Sequence, residues 1–303
     1  MYDVVVRTPA LPCSPLSDAL GVPTYLKLEN RQPTGAFKLR GAWTFIRRLA
    51  PQVRARGVVT YSSGNHGQAL AYAAQRAEVR AVVVMPESAP AIKVEGVRRW
   101  GGEVVFAGST SDHRRRRALE LAAAEGLTVA PPYDHSDIIA GQGTVGLEIV
   151  EDVPDVAMIA VPVGGGGLVA GVVTAVAALR PKVKICAVEP DGARALGAAL
   201  EAGHPVRLDR SHSIADGLLP LAVGELNFAL VAGRVLACAV SDEEIASATA
   251  WLYRTMRVLA EPSGAATTAA ARAGRLAPDG PVVLIVSGGN VDPEWVTALD
   301  RTT

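Results

Sequence analysis

An α/β fold of two doubly wound domains with mostly parallel sheets is the architecture this sequence predicts. Three observations carry it. Short β-branched runs alternate with helix-length amphipathic or Ala-rich segments almost from end to end. Those runs are continuously apolar rather than alternating, as strands buried on both faces of a parallel sheet are. The length, 303 residues, exceeds that at which one core usually keeps growing, so two domains are expected.

Each element has its own signal. TYLKLE (24–29) reads as a strand, and after a Thr-Gly turn a helix over 38–49 carries Ala42, Phe45, Ile46 and Leu49 on one apolar stripe. GVVTYS (57–62) leads to a helix near 66–76, AVVVM (81–85) to one near 90–99, and EVVFAG (103–108) to one near 112–125. A helix near 136–152 precedes the strand AMIAVPV (157–163), and another follows it near 168–179. VKICAVE (183–189) and PVVLIVS (281–287) complete the strands, with helices near 242–256 and 262–274 between them. Ser241 and Glu244 have capping-box spacing for the first of these two helices. The charged, proline-punctuated LAPQVRARG (49–57) and the proline pair of APPYDHS (130–136) mark boundaries, and no long linker or repeat intervenes.

Composition excludes several classes of function. Thirty basic residues balance thirty acidic ones, which gives no encouragement to nucleic acid or a membrane surface as partner. No apolar stretch reaches the roughly 18 residues of a membrane span, and MYDVVVRTPAL lacks the apolar run of a signal. Cys13, Cys186 and Cys238 show neither a disulfide framework nor zinc spacing, so a reducing cytoplasm is the expected compartment. Arg114 to Arg117 read as a solvated helix face, with an anion contact as the alternative.

Three strand ends carry the chemistry. In VPVGGGGLVAG a strand ends at Val163, four glycines follow, and an apolar helix begins at Leu168. Glycines let backbone N–H groups converge on an oxyanion, and the helix start adds free amides and positive dipole. The pattern lacks the Lys-Ser/Thr of a Walker loop. Glu189 at the next strand end keeps a dinucleotide reading open, but a single phosphate monoester fits best because nothing basic accompanies the loop. SSGNHGQA repeats the strand–loop–helix geometry, where Ser62, Ser63 and the helix-start amides suit a carboxylate; plain N-capping is the alternative. SGGN (287–290) is the third such turn. Lys38 sits awkwardly between an aromatic and an apolar helix face. One lysine, a monophosphate cradle and no metal cluster point to pyridoxal 5'-phosphate, which needs an amine whose pKa desolvation has lowered.

Taken together, KLENRQPTGAFKLRGA (27–42), SSGNHGQA (62–69), GGGGL (164–168), IADG (214–217) and SGGN (287–290) resemble the serine/threonine dehydratase and serine racemase family. These are pyridoxal-phosphate enzymes of fold type II, the tryptophan synthase β-like group. The resemblance runs nearly end to end. It implies that Lys38 holds the cofactor aldehyde, Phe37 packs on its ring, and Asn65 bonds its phenolic oxygen. Gly164, Gly165, Gly166, Gly167 and Leu168 would hold the phosphate, and Ser287 would face the pyridine nitrogen. Ser62, Ser63, Gly64 and His66 would clasp the substrate carboxylate. Some members bind a divalent cation, Mg or Ca. The matching stretch VEPDGARAL offers Glu189 and the carbonyl of Ala193, but Ala195 stands where a further acid would, so water would have to substitute.

By resemblance, residues 1–48 and 135–303 form a large cofactor domain and 49–134 a small mobile domain that closes over substrate. A small-molecule amino acid is the expected partner, and a homodimer or homotetramer the expected assembly. The implied reaction is α,β-elimination of L-threonine to 2-oxobutanoate, or L-serine to pyruvate, with release of ammonia. Lys38 would be the base and the cofactor phosphate the proton donor to the leaving hydroxyl. No C-terminal regulatory domain is expected after the last helix, which favours a catabolic or unregulated form. Serine racemase is the nearest alternative, with Ser63 as acid/base on the face opposite Lys38. IADGLLPL departs from the racemases, which tend to carry a serine shortly after IADG. A β-replacement synthase and a non-catalytic amino-acid-binding homologue are the remaining alternatives.

Overall fold

The computed structural model describes residues 1–62, 64–89 and 91–299. Among them the strands are β1 (Ala10–Pro12), β2 (Thr24–Leu28), β3 (Val58–Thr60), β4 (Ala81–Met85), β5 (Glu103–Phe106), β6 (Thr128–Val129), β7 (Met158–Pro162), β8 (Lys184–Pro190), β9 (Leu236–Val240) and β10 (Val282–Val286). They form two sheets, ordered β5-β4-β3-β6 and β1-β2-β10-β7-β8-β9, and every pair except β1–β2 is parallel. The α/β class with mostly parallel sheets therefore stands as read. No helix of the described residues is long and apolar enough to cross a membrane.

By packing, the chain falls into two units: Met1–Val6 with Gln32–Gly141, and Arg7–Arg31 with the chain from Gln142 onward. The first is wider than the 49–134 expected, and the helix Lys38–Arg48 shows why. Its buried stripe, Leu39, Ala42, Phe45 and Ile46, shares one cluster with Ala69, Leu70 and Ala73 of the helix Asn65–Arg76. Full burial of each large side chain is worth about 1.5–3 kcal/mol, so this face fixes the helix to the four-stranded unit.

In the second unit β2 carries a charge inside the fold. The Lys27 ammonium is fully buried, donating to the Thr8 carbonyl at 2.6 Å and lying 2.7 Å from Glu148 and 3.3 Å from Asp152. Arg7 adds contacts to Asp152 at 2.5 Å and Glu151 at 2.6 Å. Below the sheet the helix Pro262–Arg272 reads PSGAATTAAAR, and its residues 262–271 are all buried. It touches β7, β8, β9 and β10. Side chains no larger than threonine or proline let it lie that close.

Three strands, β1, β6 and β9, escape the sequence reading. The first two span only three and two residues, too few for any period to show. β9, LACAV, is apolar throughout but is an edge strand whose first two residues are exposed. The capping box forms as its spacing predicts: Ser241 Oγ accepts the Glu244 N–H at 3.2 Å and Glu244 accepts the Ser241 N–H at 2.9 Å.

Candidate active site

In the first unit, the turn in which Gly35 N–H donates to Gln32 O ends at Phe37, and Lys38 is the first helical residue. The side chain is partly open, yet its amine lies deep among protein atoms. That burial pushes its pKa down to about 8. A helix start, with its positive dipole, further disfavours a cation. The amine donates to the Pro132 carbonyl at 2.8 Å and stands 5.2 Å from the centre of the Phe37 ring. A carbonyl holds an ammonium far more loosely than a carboxylate does. Lys38 can therefore become a free nucleophilic amine near neutral pH.

The loop after β3 delivers the next group. The helix Asn65–Arg76 starts from Gly64, so its first amides have no intrahelical acceptor. Ser62 Oγ accepts the Gly64 N–H at 3.5 Å, and Asn65 is the first helical residue. Gly67 is required for the close return of chain: a Cβ there would stand 2.4 Å from the Ser62 carbonyl oxygen. His66 is buried, its Nε2 3.2 Å from the Ala130 carbonyl oxygen. Burial, then the nearby Lys38 charge, push its pKa down to about 3, so the ring is neutral. With Nε2–H donated to a carbonyl, Nδ1 bears a lone pair; no partner meets it among the described residues. In this tautomer His66 Nδ1 can accept a hydrogen bond but cannot donate one, so the helix-start amides rather than the ring are suited to a carboxylate. Ser63 lies outside the described residues.

The second unit holds the glycine run. Val163 N–H donates to Val188 O at 2.8 Å, and the helix Gly167–Leu179 begins four residues later. The Gly165 carbonyl accepts from Asn227 Nδ2 at 2.7 Å and Gly224 N–H at 3.1 Å. Because every described peptide is trans, the Gly166 N–H points opposite to that carbonyl. Gly166 has φ +92, and a Cβ on it would meet Val223 Cγ2 at 2.8 Å. Gly166, Gly167 and Leu168 lie at a helix start, where amides without an intrahelical acceptor suit an anion. Gly166→Ala should cost about 1–2 kcal/mol of strain and weaken pyridoxal phosphate binding roughly tenfold, as equilibrium dialysis would read.

Two further motifs meet this run. A Cβ built on Gly164 would lie 3.1 Å from the Gly217 carbonyl oxygen. Gly217 N–H in turn donates to Ser263 Oγ at 2.9 Å, and Ser287 Oγ to the Ser263 carbonyl at 3.4 Å. Ser287 directly follows β10 and is buried. Ser263, Asn227 and the Pro132 and Ala130 carbonyls were missed by sequence reasoning. None has a local signal; APPYDHS marks only a boundary.

Glu189 holds two backbone amides. Its carboxylate accepts the N–H groups of Leu196 at 2.7 Å and Gly197 at 2.8 Å, so it caps the helix Ala195–Ala202, and burial pushes its pKa up to about 7. Ala193 N–H turns back onto the Pro190 carbonyl. Among the described residues no group of three His, Cys, Asp or Glu could hold a metal ion, so a cation on Glu189 and Ala193 gains no support.

The residues present fit pyridoxal phosphate. One unit has an amine lowered to about 8, and the other a run of amides without Cβ obstruction and a buried hydroxyl.

A profile described as "Pyridoxal-phosphate dependent enzyme" matches residues 1–288. The chain is 43% identical to a putative threonine dehydratase of Sinorhizobium fredii over 95% of its own length and 88% of that protein. It is 40% identical to the L-threonine ammonia-lyase of Thermotoga maritima (99% and 75%) and 38% identical to the L-threo-3-hydroxyaspartate ammonia-lyase of Saccharomyces cerevisiae (96% and 90%). The chain spans about half the length of the biosynthetic threonine dehydratases it matches, 52% for that of Escherichia coli. Among solved structures, the processed form of threonine deaminase isoform 2 from Solanum lycopersicum superposes with TM-score 0.93 at 38% identity, covering 100% of this chain and 85% of that one. Maize serine racemase gives 0.92 at 35%, covering 99% and 94%.

Proposed function

We propose, from the premise that the chain belongs to the family of pyridoxal-phosphate dependent enzymes, that it is an ammonia-lyase acting on a small β-hydroxy amino acid. The substrates of this reading are L-threonine and L-serine, converted by α,β-elimination to 2-oxobutanoate or pyruvate with release of ammonia. The single observation that carries it is Lys38: a buried amine with pKa about 8 whose partner is a carbonyl, not an acid. When bound, the cofactor supplies an electron sink for the carbanion at Cα. The chain's own residues do the rest. Helix-start amides after Gly64, with Ser62, orient the substrate carboxylate. The Lys38 amine takes the Cα proton. Ser287, a hydroxyl rather than a carboxylate, does not force a proton onto a ring nitrogen. The relatives named for threonine support the same reaction class.

Incubation with L-threonine and L-serine, read as oxoacid and by chiral analysis of residual serine, tests this. Oxoacid formation upholds the lyase; D-serine without oxoacid replaces it with the racemase. Assembly as a homodimer or homotetramer in the cytoplasm belongs to the same proposal and is checked by light scattering and fractionation.

A second substrate reading rests on Arg114. Its guanidinium is half-buried, low-set in pKa through burial, and has no carboxylate partner among the described residues. Nε donates to the Tyr61 carbonyl at 3.4 Å, one residue before Ser62, and Nη2 to Ser111 Oγ at 2.8 Å. A cation in the first turns of the helix Ser111–Glu125 opposes the dipole, so an anion is what would stabilise it. That favours a hydroxy amino acid with a second carboxylate, as the name of the yeast relative suggests. Arg114→Ala should then lower kcat/KM for L-threo-3-hydroxyaspartate roughly 10- to 150-fold while sparing threonine. An equal fall for both substrates defeats this reading.

A further inference from the structure

Two of the three cysteines meet in the second unit, on β8 and its neighbour β9. Cys186 lies on β8 and Cys238 on β9, and their Sγ atoms are 3.7 Å apart. The register pairs Cys186 with Leu236 and Val188 with Cys238, so the two cysteines are diagonal neighbours on one face of the sheet. Among the described residues β9 is the outermost strand of its sheet and pairs only with β8. Cys186 is 4% exposed, whereas Cys238 is partly open. Cys13, by contrast, is fully buried with the Met256 sulfur 3.7 Å away.

The geometry points to Cys238 as a site of reversible oxidation by hydroperoxides, with Cys186 as the sulfur that resolves it into a cross-strand disulfide. The exposure of the pair suits these roles: Cys238 is partly open to an oxidant, whereas Cys186 is shielded beside it, and the two sulfurs share a hydrogen bond. The thiolate, not the thiol, attacks peroxide, and sensor thiols are open, acidic and close to a second sulfur. Burial pushes the Cys13 thiol up, and it has no second thiol.

The chemistry balances in two steps. Cys238 thiolate attacks one peroxide oxygen; the O–O bond breaks, the sulfur is oxidised to a sulfenic acid, and the other oxygen leaves as water after taking a proton. Cys186 sulfur then attacks Cys238 sulfur; the S–O bond breaks, and hydroxide leaves as a second water with the Cys186 proton. Two thiols and one hydroperoxide give one disulfide and two waters (an alcohol and a water for an organic hydroperoxide).

Closing the bond requires the sulfurs to move from 3.7 Å to about 2.05 Å. Diagonal sheet neighbours have Cα atoms about 7–8 Å apart, at or beyond the upper limit for a bridge, so a strand must yield. An outermost strand with one partner can. The resulting strain makes the bridge easily reduced, as a reversible modification requires. The bridge would lie on β8 two residues before Val188, whose carbonyl anchors the start of the glycine run through Val163.

The test exposes the reduced holoenzyme to hydrogen peroxide, removes the oxidant with catalase, and counts thiols after unfolding. Free thiols should fall from three to one, peptide mapping should link Cys186 to Cys238, and dithiothreitol should restore all three. Cys238 should be consumed at least tenfold faster than Cys13. In Cys186→Ser, Cys238 should stop at the sulfenic acid, trapped by a 1,3-diketone; in Cys238→Ser, the two remaining thiols should both survive. Three persisting thiols in the wild type, a Cys13 as reactive as Cys238, or identical products from wild type and Cys186→Ser would each overturn the assignment. Thiol count and peptide map need only the wild-type protein, so they decide the matter even where a variant fails to fold.

Discussion

Lys38→Ala protein will form oxoacid at least about 10³-fold more slowly than wild type, because base and covalent anchor are lost together. The wild type mixed with pyridoxal phosphate will develop a yellow absorbance that borohydride bleaches, leaving the cofactor mass on the peptide containing residue 38; the variant will do neither. A pH series separates this from simple misfolding. With a pKa lowered to about 8, the amine is mostly protonated at pH 6 and mostly free at pH 9. The rate of cofactor capture by the apoprotein should therefore rise nearly tenfold per pH unit up to about 8 and level off above it. An ordinary lysine would keep that rise going past pH 10. Wild-type turnover retained in Lys38→Ala would refute the assignment.

Lys27→Met will lower stability by about 3–5 kcal/mol, the cost of breaking a buried ion pair by removing one partner. Its ammonium is fully buried between Glu148 and the Thr8 carbonyl, so solvent cannot replace what is removed. Lys184→Met is the control. That lysine also contacts an acid at 2.8 Å, but the two side chains are 46% and 64% exposed. An exposed pair is worth under about 1 kcal/mol. Urea unfolding of the two variants should differ in midpoint several-fold relative to wild type, with unchanged slope. Equal midpoints would mean that burial does not set the value of the Lys27 pair.

What could be read from the sequence was what the backbone decides locally. The helix starts at Lys38 and Asn65, the strand-to-glycine turn at 163–167 and the Ser241 capping box need only neighbouring residues, and all form where the spacing puts them. The extent of each unit is set by distant packing. Whether the helix Lys38–Arg48 joins one sheet or the other depends on which distant surface takes its apolar stripe, and Leu70 lies far along the chain. The amides that Glu189 accepts belong to the helix Ala195–Ala202, a short apolar element whose start no local signal announces. Pro132 and Ala130 act through carbonyls, which every residue has, so no residue type could announce them.

The small-residue helix under the larger sheet has a consequence for anyone evolving this protein. Four strands rest on its surface at once, so a methyl group gained almost anywhere along Pro262–Arg272 would be felt across the layer. A saturation library should find that segment nearly immutable, with accepted changes crowding instead into the solvent-facing turns. Attempts to widen the substrate range should leave the ten buried positions 262–271 untouched and recruit diversity from the loops at the strand ends.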